Sequence, residues 1–396
     1  MGIKRLFSFI LVFAVMFTGV CFADVPPEET ENTAAKAQEV KPQIDIKAKS
    51  VVLIEASTRK VIFEQASNEK RAPASVTKIM TMLLVMEAVE SKKISLSDKV
   101  STSEHAASMG GSQIWLEKGE EMTVDELLKA TAIASANDAA VSLAEFVGGS
   151  EIGFVTMMNE RAKELGMNNT NFVNACGLDV ENHLTSAHDI ALMSAELLKH
   201  KLVVDYSLVW MDTLRGGKTE LVNTNKLIKS YNGVTGLKTG TTDDAGVCIS
   251  ASAKRDNMEL IAVVLGSDNS NDRFNTAKNL LDYGFATHTL YSPKFEDVTL
   301  DTIPVLHGIE RTVKIAVEKK DGGILLKKGR EKDIQQAVEL AENVSAPVEK
   351  GQSVGKIVLT LDGEAVGEFL IKSEQGVDKI RMGSAFMIIL RELLRI

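Results

Sequence analysis

The sequence predicts an α+β domain followed by a smaller, mostly β domain. Two observations give the first part. Strand-like runs stand at both ends of residues 46–290, at 51–54, 61–63, 247–253 and 260–265, with helical stretches between them. That arrangement fits one antiparallel sheet whose first and last strands meet. The run 79–89 is apolar almost all round, as in a helix buried in the middle of a domain. A third observation gives the second domain. After Leu290, the segments 312–318, 324–327, 353–361 and 364–372 alternate and are separated by glycine turns.

A leader precedes the fold. Lys4 and Arg5 form a positive start, residues 6–20 are an apolar run, and Cys21-Phe22-Ala23 offers a small residue before a cut. This reads as a secretory signal peptide over residues 1–23. An uncleaved anchor fits less well because the run is short for a span, and Val20 is bulky for a lipoprotein site at Cys21. Residues 24–45 carry Pro26, Pro27 and Pro42 with little apolar bulk, and read as a disordered linker. The runs 51–54 and 61–63 form a hairpin through residues 57–60, and the pattern turns helical after Pro73. Further helices are expected at 124–136, 139–146, 152–165 and 186–198, then strands around Lys238 and a closing helix at 275–285. The β-rich domain covers 291–381. Residues 382–396 form an apolar helix with a polar strip at Ser384, Arg391 and Arg395. It is too short to span a bilayer but can lie on a membrane surface, or else pack on its own domain.

Charge and cysteines narrow the class. The chain has 45 basic and 54 acidic residues, spread throughout. With no clustered basic stripe, nucleic acid is excluded as a partner. Only Cys176 and Cys248 remain beyond the leader; they allow a bridge but do not make a disulfide framework. There is no CxxC pair and no HExxH, so neither a metal nor any other cofactor is expected.

The chemistry sits in three short motifs. Ser-x-x-Lys occurs at Ser57, Ser67, Ser75 and Ser353, but only Ser75 opens a buried helix, just after Pro73. Residues three apart share a helix face, so Lys78 can reach the Ser75 hydroxyl. A lysine pressed into an apolar helix is desolvated, which lowers its pKa toward that of a usable base. The free N–H groups of a helix start suit a developing oxyanion. Ser-x-Asn occurs at Ser135/Asn137, Ser230/Asn232 and Ser267/Asn269; the last follows a strand end and reads as a turn. Ser135 lies instead between two apolar helices. Lys238-Thr239-Gly240 occurs once; the glycine permits close backbone approach, and Thr241 beyond it offers a second oxyanion N–H. In this order the motifs supply a nucleophile, an amine to activate it, a second hydroxyl for proton transfer and a cation for a carboxylate.

With these motifs the chain resembles the low-molecular-mass penicillin-binding proteins, serine-type D-alanyl-D-alanine carboxypeptidases of the peptidase S11 kind. Arg71-Ala72-Pro73-Ala74, Gly111-Ser112, Leu165-Gly166-Met167, Asn169-Thr170-Asn171-Phe172, Gly177-Leu178-Asp179, His183, Gly236-Leu237 and Arg273 also resemble the family pattern. The resemblance runs from about residue 46 to 396. It implies a β-lactamase/transpeptidase-like catalytic domain, a β-rich stalk and a membrane-associating terminal helix. It also implies a site: Ser75 as acylated nucleophile, Lys78 as its base, Ser135 and Asn137 on the opposite wall, and Lys238, Thr239 and Arg273 toward the substrate carboxylate. The implied partners are the D-Ala-D-Ala stem peptide of peptidoglycan, β-lactams as covalent inhibitors, and the outer face of the bacterial membrane. Cys176 and Thr241 depart from the family pattern.

Alternatives remain. A Ser-His-Asp triad from His183 or His188-Asp189 is disfavoured, since adjacent helical residues point about 100° apart. A class A β-lactamase needs a deacylating Glu after the second motif; Glu164-Leu165-Gly166-Met167-Asn168 resembles that motif but comes too early. A wall-binding or antibiotic-sensing module would keep the pocket without turnover, yet no catalytic group is missing. Endopeptidase action on cross-links would use the same site with a longer groove.

Overall fold

The computed structural model describes residues 44–295, 300–319 and 322–383, with Phe386 and Leu393 beyond them. The expected leader, nearly all of the expected linker and most of the expected terminal helix fall outside these residues.

The first strand, β1 (Ser50–Glu55), is buried at all six positions. Its hairpin partner β2 (Val61–Gln65) pairs antiparallel, with Leu53 opposite Phe63. The turn between them hangs on Glu55, whose Oε2 accepts from Thr58 N and Thr58 Oγ1, each at 2.7 Å. Chain order then gives α1 (Lys78–Glu90), α2 (Val124–Lys129), α3 (Asn137–Gly148), α4 (Glu151–Glu164) and α5 (Ala187–Leu197). A small hairpin follows, β3 (Met211–Leu214) with β4 (Thr219–Val222). Three long strands come next, β5 (Val234–Thr242), β6 (Gly246–Arg255) and β7 (Met258–Ser267), and then α6 (Ser270–Thr287).

The sheet order is β2-β1-β7-β6-β5, so the first strands do meet the last, with Leu53 opposite Ala262. The sheet is covered on both faces, which explains why its central strands read as continuous apolar runs. Val52, Ile54, Ile261 and Val263 pack with α1 and α5, whereas Val51, Leu53, Leu260 and Ala262 pack with α6. Burying each large side chain in these layers contributes about 1.5–3 kcal/mol. The strand β5 is left at an edge.

One expected helix breaks. Residues 124–136 were expected to run as a single helix, but α2 gives way to one wide turn over Ala130–Ala134 and then to Ser135 at φ +62°. A 3.6-residue period registers apolar spacing, not an extra residue in the final turn.

From Thr302 the chain is mostly β. The strands β8 (Thr302–Leu306), β9 (Thr312–Val317), β10 (Gln335–Leu340), β11 (Val344–Ser345), β12 (Ser353–Leu361) and β13 (Glu364–Ser373) form one sheet, ordered β10-β12-β13-β9-β8-β11. The β12–β13 hairpin turns at Asp362-Gly363, both at positive φ, as the tightest hairpins require. Its core is a separate apolar cluster around Val313, Ile357 and Ile371.

Candidate active site

Residues Ala74–Thr77 form a tight turn that leads directly into α1. The turn is over-determined. Thr77 Oγ1 donates to Ala74 O at 2.9 Å and lies 2.9 Å from His183 Nε2. Val173 N–H donates to His183 Nδ1 at 3.0 Å, so the ring proton resides on Nε2 and points at Thr77. Burial lowers His183 from its ordinary 6.5 to about 4 and keeps it neutral. From the other side Gly177, at φ +89°, presses on the turn. A Cβ there would stand 1.9 Å from Ala74 O, so no side chain fits.

Lys78 is fully buried one turn after Ser75. Its Nζ reaches Ser75 Oγ at 2.9 Å, Asn137 Oδ1 at 2.6 Å and Cys176 O at 2.7 Å. Burial lowers it from 10.5 to about 8, against the opposing influence of Cys176 and Asp138. The partner types matter. Asn137 Oδ1 and Cys176 O only accept, so they occupy both N–H groups of a neutral amine. The remaining lone pair then faces the Ser75 hydroxyl, which is the arrangement of a general base with its nucleophile.

The second motif stands across from this pair. Ser135 is buried in its left-handed conformation, and no described residue hydrogen-bonds its Oγ. Asn137 opens α3 and ties Lys78 to the loop before it, since its Nδ2 donates to Gly110 O at 2.7 Å. The third motif lies on edge strand β5. A Cβ at Gly240 would sit 2.8 Å from both Ser75 N and Ala74 Cβ, so only glycine lets the strand come this close to the turn. Thr239 Oγ1 donates to Thr224 Oγ1 at 2.6 Å, and Thr241 Oγ1 donates to Gly240 O at 2.8 Å.

Lys238 is also fully buried, with its Nζ bonded to Thr239 O at 3.1 Å. Burial pushes it well below 10.5, and the charges of Lys78 and Arg273 push it further. Arg273, on α6, donates to Cys248 O at 3.2 Å and Gly240 O at 3.4 Å, behind β5, and burial lowers it to about 10. No described carboxylate lies within 4 Å of Lys78, Lys238 or Arg273. Lys238 and Arg273, held in a low-dielectric setting without a counter-ion, offer a bound anion a strong field.

Most side chains in the other copies of the motifs are engaged elsewhere, although the buried Ser267 Oγ has no partner among the described residues. Ser57 Oγ donates to Glu55 and Ser67 Oγ to Glu64 at 2.5 Å, while Asn269 caps α6 by accepting from Asp272 N at 3.0 Å. Glu164 pairs with Arg161 at 2.9 Å, and no described carboxylate hydrogen-bonds Ser75, Lys78 or Ser135. His188 Nδ1 and Asp189 Oδ1 are 3.8 Å apart, too far for a hydrogen bond.

Residues 33–269 match the peptidase S11 family, described as D-alanyl-D-alanine carboxypeptidase. The chain belongs to that family. Residues 285–379 match the penicillin-binding protein 5 C-terminal domain. The D-alanyl-D-alanine carboxypeptidase DacF of Bacillus subtilis is 45% identical over 383 residues, 95% of each chain. Penicillin-binding protein 5 from Haemophilus influenzae superposes with a TM-score of 0.73 at 30% identity, covering 85% of this chain and 99% of that one. Penicillin-binding protein D2 from Listeria monocytogenes, in its ampicillin-bound form, superposes with a TM-score of 0.57 at 31% identity, covering 62% and 100%.

Against this family the departure at Cys176 is benign in its contacts. The backbone carbonyl serves Lys78, while the side chain packs with Ala106, Ala140 and Val141. Cys176 and Cys248 are both buried and unbridged. Sequence reasoning missed Asn174, whose Oδ1 accepts from Gly177 N at 2.6 Å and Cys176 N at 3.2 Å and so shapes the turn. It also missed Asp138, buried beside the second motif and accepting from Ile114 N and Leu116 N. Adjacency to Asn137 was the one available signal for Asp138.

Proposed function

We propose that this chain is a serine D-Ala-D-Ala carboxypeptidase that removes the terminal D-alanine from peptidoglycan stem peptides and is acylated by β-lactams. The observation that carries the reading is the buried Lys78 Nζ, 2.9 Å from Ser75 Oγ, with its other hydrogen bonds going only to acceptors. The substrate carboxylate docks in the field of Lys238, beside Thr239 and helped by Arg273. Ser75 Oγ gives its proton to Lys78 Nζ and attacks the penultimate D-Ala carbonyl carbon. Backbone N–H groups of Ser75 and Thr241 hold the oxyanion. The C–N bond breaks as Ser135, under the charge of Lys238, passes a proton to the departing amine and takes in its place the proton that Ser75 gave to Lys78. Water then hydrolyses the Ser75 ester and releases the shortened peptide. No cofactor enters any step.

The remaining assignments follow the same reading. Residues 1–23 direct export, 24–45 are a linker, 46–290 catalyse and 291–381 form a stalk. Residues 382–396 rest on the outer face of the cytoplasmic membrane. Co-flotation with anionic vesicles, abolished by truncation after Arg381, is the expected result for that tail. For the reaction, D-alanine release from a D-Ala-D-Ala peptide is measured beside a penicillin mass shift, on wild type and Ser75→Ala. Release and a stable adduct, both lost in the variant, are expected. An adduct without release would leave a sensor or an endopeptidase, and rapid penicillin turnover would mean a β-lactamase.

A further inference from the structure

The loop beside the second motif displays a tryptophan in an unusual way. Trp115 is 74% exposed, the more exposed of the chain's two tryptophans. A single exposed apolar side chain is ordinary on a protein surface. This one is held there. Its neighbours Ile114 and Leu116 are buried in the main core, and the N–H groups of both donate to the buried Asp138 carboxylate. From the other side Arg215, tied to Glu120 at 2.6 Å, donates to Ile114 O at 2.8 Å and Trp115 O at 3.4 Å. Trp115 itself sits at φ +59°, a region disfavoured for any residue with a Cβ. Strained conformations persist only where the surroundings impose them, and they gather at ligand clamps.

We propose that Trp115 is a docking platform for the glycan that carries the stem peptide. This rests on the carboxypeptidase reading and extends it from the scissile end of the substrate to the far end. Reach supports the choice. Ser112 O accepts from Asn137 N at 2.7 Å, and three residues on from Ser112 span at most about 10 Å. Asn137 connects to Ser75 Oγ through Lys78 Nζ by contacts of 2.6 and 2.9 Å. With the lengths of the Asn137 side chain and of the tryptophan added, the indole lies within about 27 Å of the nucleophile. Four extended residues between the attacked carbonyl and the sugar cover about 14 Å. The chemistry supports it too. The axial C–H face of a pyranose is apolar and packs on an electron-rich aromatic face, and a rigid indole offers that area with little side-chain ordering cost.

The test compares kcat/KM for D-alanine release from a disaccharide-pentapeptide and from the free pentapeptide. Trp115→Ala is expected to lower the ratio of the two about tenfold, while penicillin acylation certifies the fold. An unchanged ratio, whatever happens to either substrate alone, overturns the proposal. A second measurement stands even if wild type cleaves neither substrate, an outcome that defeats the carboxypeptidase reading instead. In Ser75→Ala with Trp210→Phe, Trp115 is the sole tryptophan and is excited apart from the tyrosines. A blue shift on adding disaccharide-pentapeptide but not free pentapeptide is expected; a shift with both, or with neither, overturns it.

Discussion

Two groups of cations in this chain are treated in opposite ways. In the β-rich half, Lys356 sits between Glu368 at 3.1 Å and Glu339 at 3.6 Å, and Arg330 faces Asp362 at 2.8 Å, all in solvent. In the catalytic half, Lys78, Lys238 and Arg273 are buried with no carboxylate within 4 Å among the described residues. A buried, unpaired cation is costly, and a fold keeps one only where something else requires it. The contrast teaches where to look for chemistry: where charge is left uncompensated, not where it is abundant.

Breaking the catalytic side of the contrast gives the largest effect. Lys78→Met removes the one amine that hydrogen-bonds Ser75 Oγ among the described residues, and penicillin acylation is expected to fall on the order of 10³-fold. The pH profile of the wild type sharpens the same point. Lys78 loses its proton near pH 8 in the free enzyme, so the limb of kcat/KM that reports the base rises through about 8. A bound substrate carboxylate favours the charged form of Lys78, which moves the rising limb of kcat to higher pH than that of kcat/KM. Coinciding limbs would mean that no anion binds near this lysine.

Lys238→Met comes next. The expected loss in kcat/KM is on the order of 10²-fold, seen mainly in KM for substrates with a free carboxylate. Stability should move the other way. The ammonium has a single hydrogen bond, to Thr239 O, and sits beside two other cations, so an apolar side chain of similar length stabilises by about 1–3 kcal/mol. Denaturant unfolding measures this directly. A variant both slower and less stable would show that the cation is compensated after all.

His183→Phe probes a neutral group that supports the charged ones. It keeps the packing against Phe172 but removes the hydrogen bonds to Thr77 and Val173. Acylation is expected to drop about tenfold through a displaced Ser75 turn, with about 1–3 kcal/mol lost for the unpaired Val173 N–H. The sign of its pH effect is definite. The folded-state value is depressed to about 4 from 6.5, so the unfolded chain takes up the proton first and stability falls as pH drops through that window. Activity is expected to show no inflection near 6.5 of the kind a triad histidine would produce.

Much of this was legible before any coordinates. Three-residue spacing put Lys78 on the face of Ser75, and strands at both ends of residues 46–290 with helices between put the first strand beside the last, as β1 and β7 are. What stayed hidden was set by tertiary hydrogen bonds. The wide turn that delivers Ser135, the Asn174 bonds that turn Cys176 O toward Lys78, and the clamp on Trp115 leave no period in the sequence. Arg273 was placed toward the carboxylate by resemblance, while its hydrogen bonds run to the backbone behind β5. Distance between partners decides legibility: contacts within one turn or one strand pair are readable, and those across loops are not.

The smallest effect belongs to the compensated side. Lys356→Ala removes a cation that touches two carboxylates, and by counting ion pairs it ought to matter more than Lys238, which touches none. Exposure reverses that order. Water already solvates Lys356 and its partners, so attraction between them is offset by screening and by the entropy of holding long side chains in place. The thermal midpoint and kcat/KM should both stay at wild-type values, at low and high salt alike. A salt-sensitive loss of stability would show that the three charges act as a network, and the contrast between the two halves would then rest on burial alone rather than on pairing.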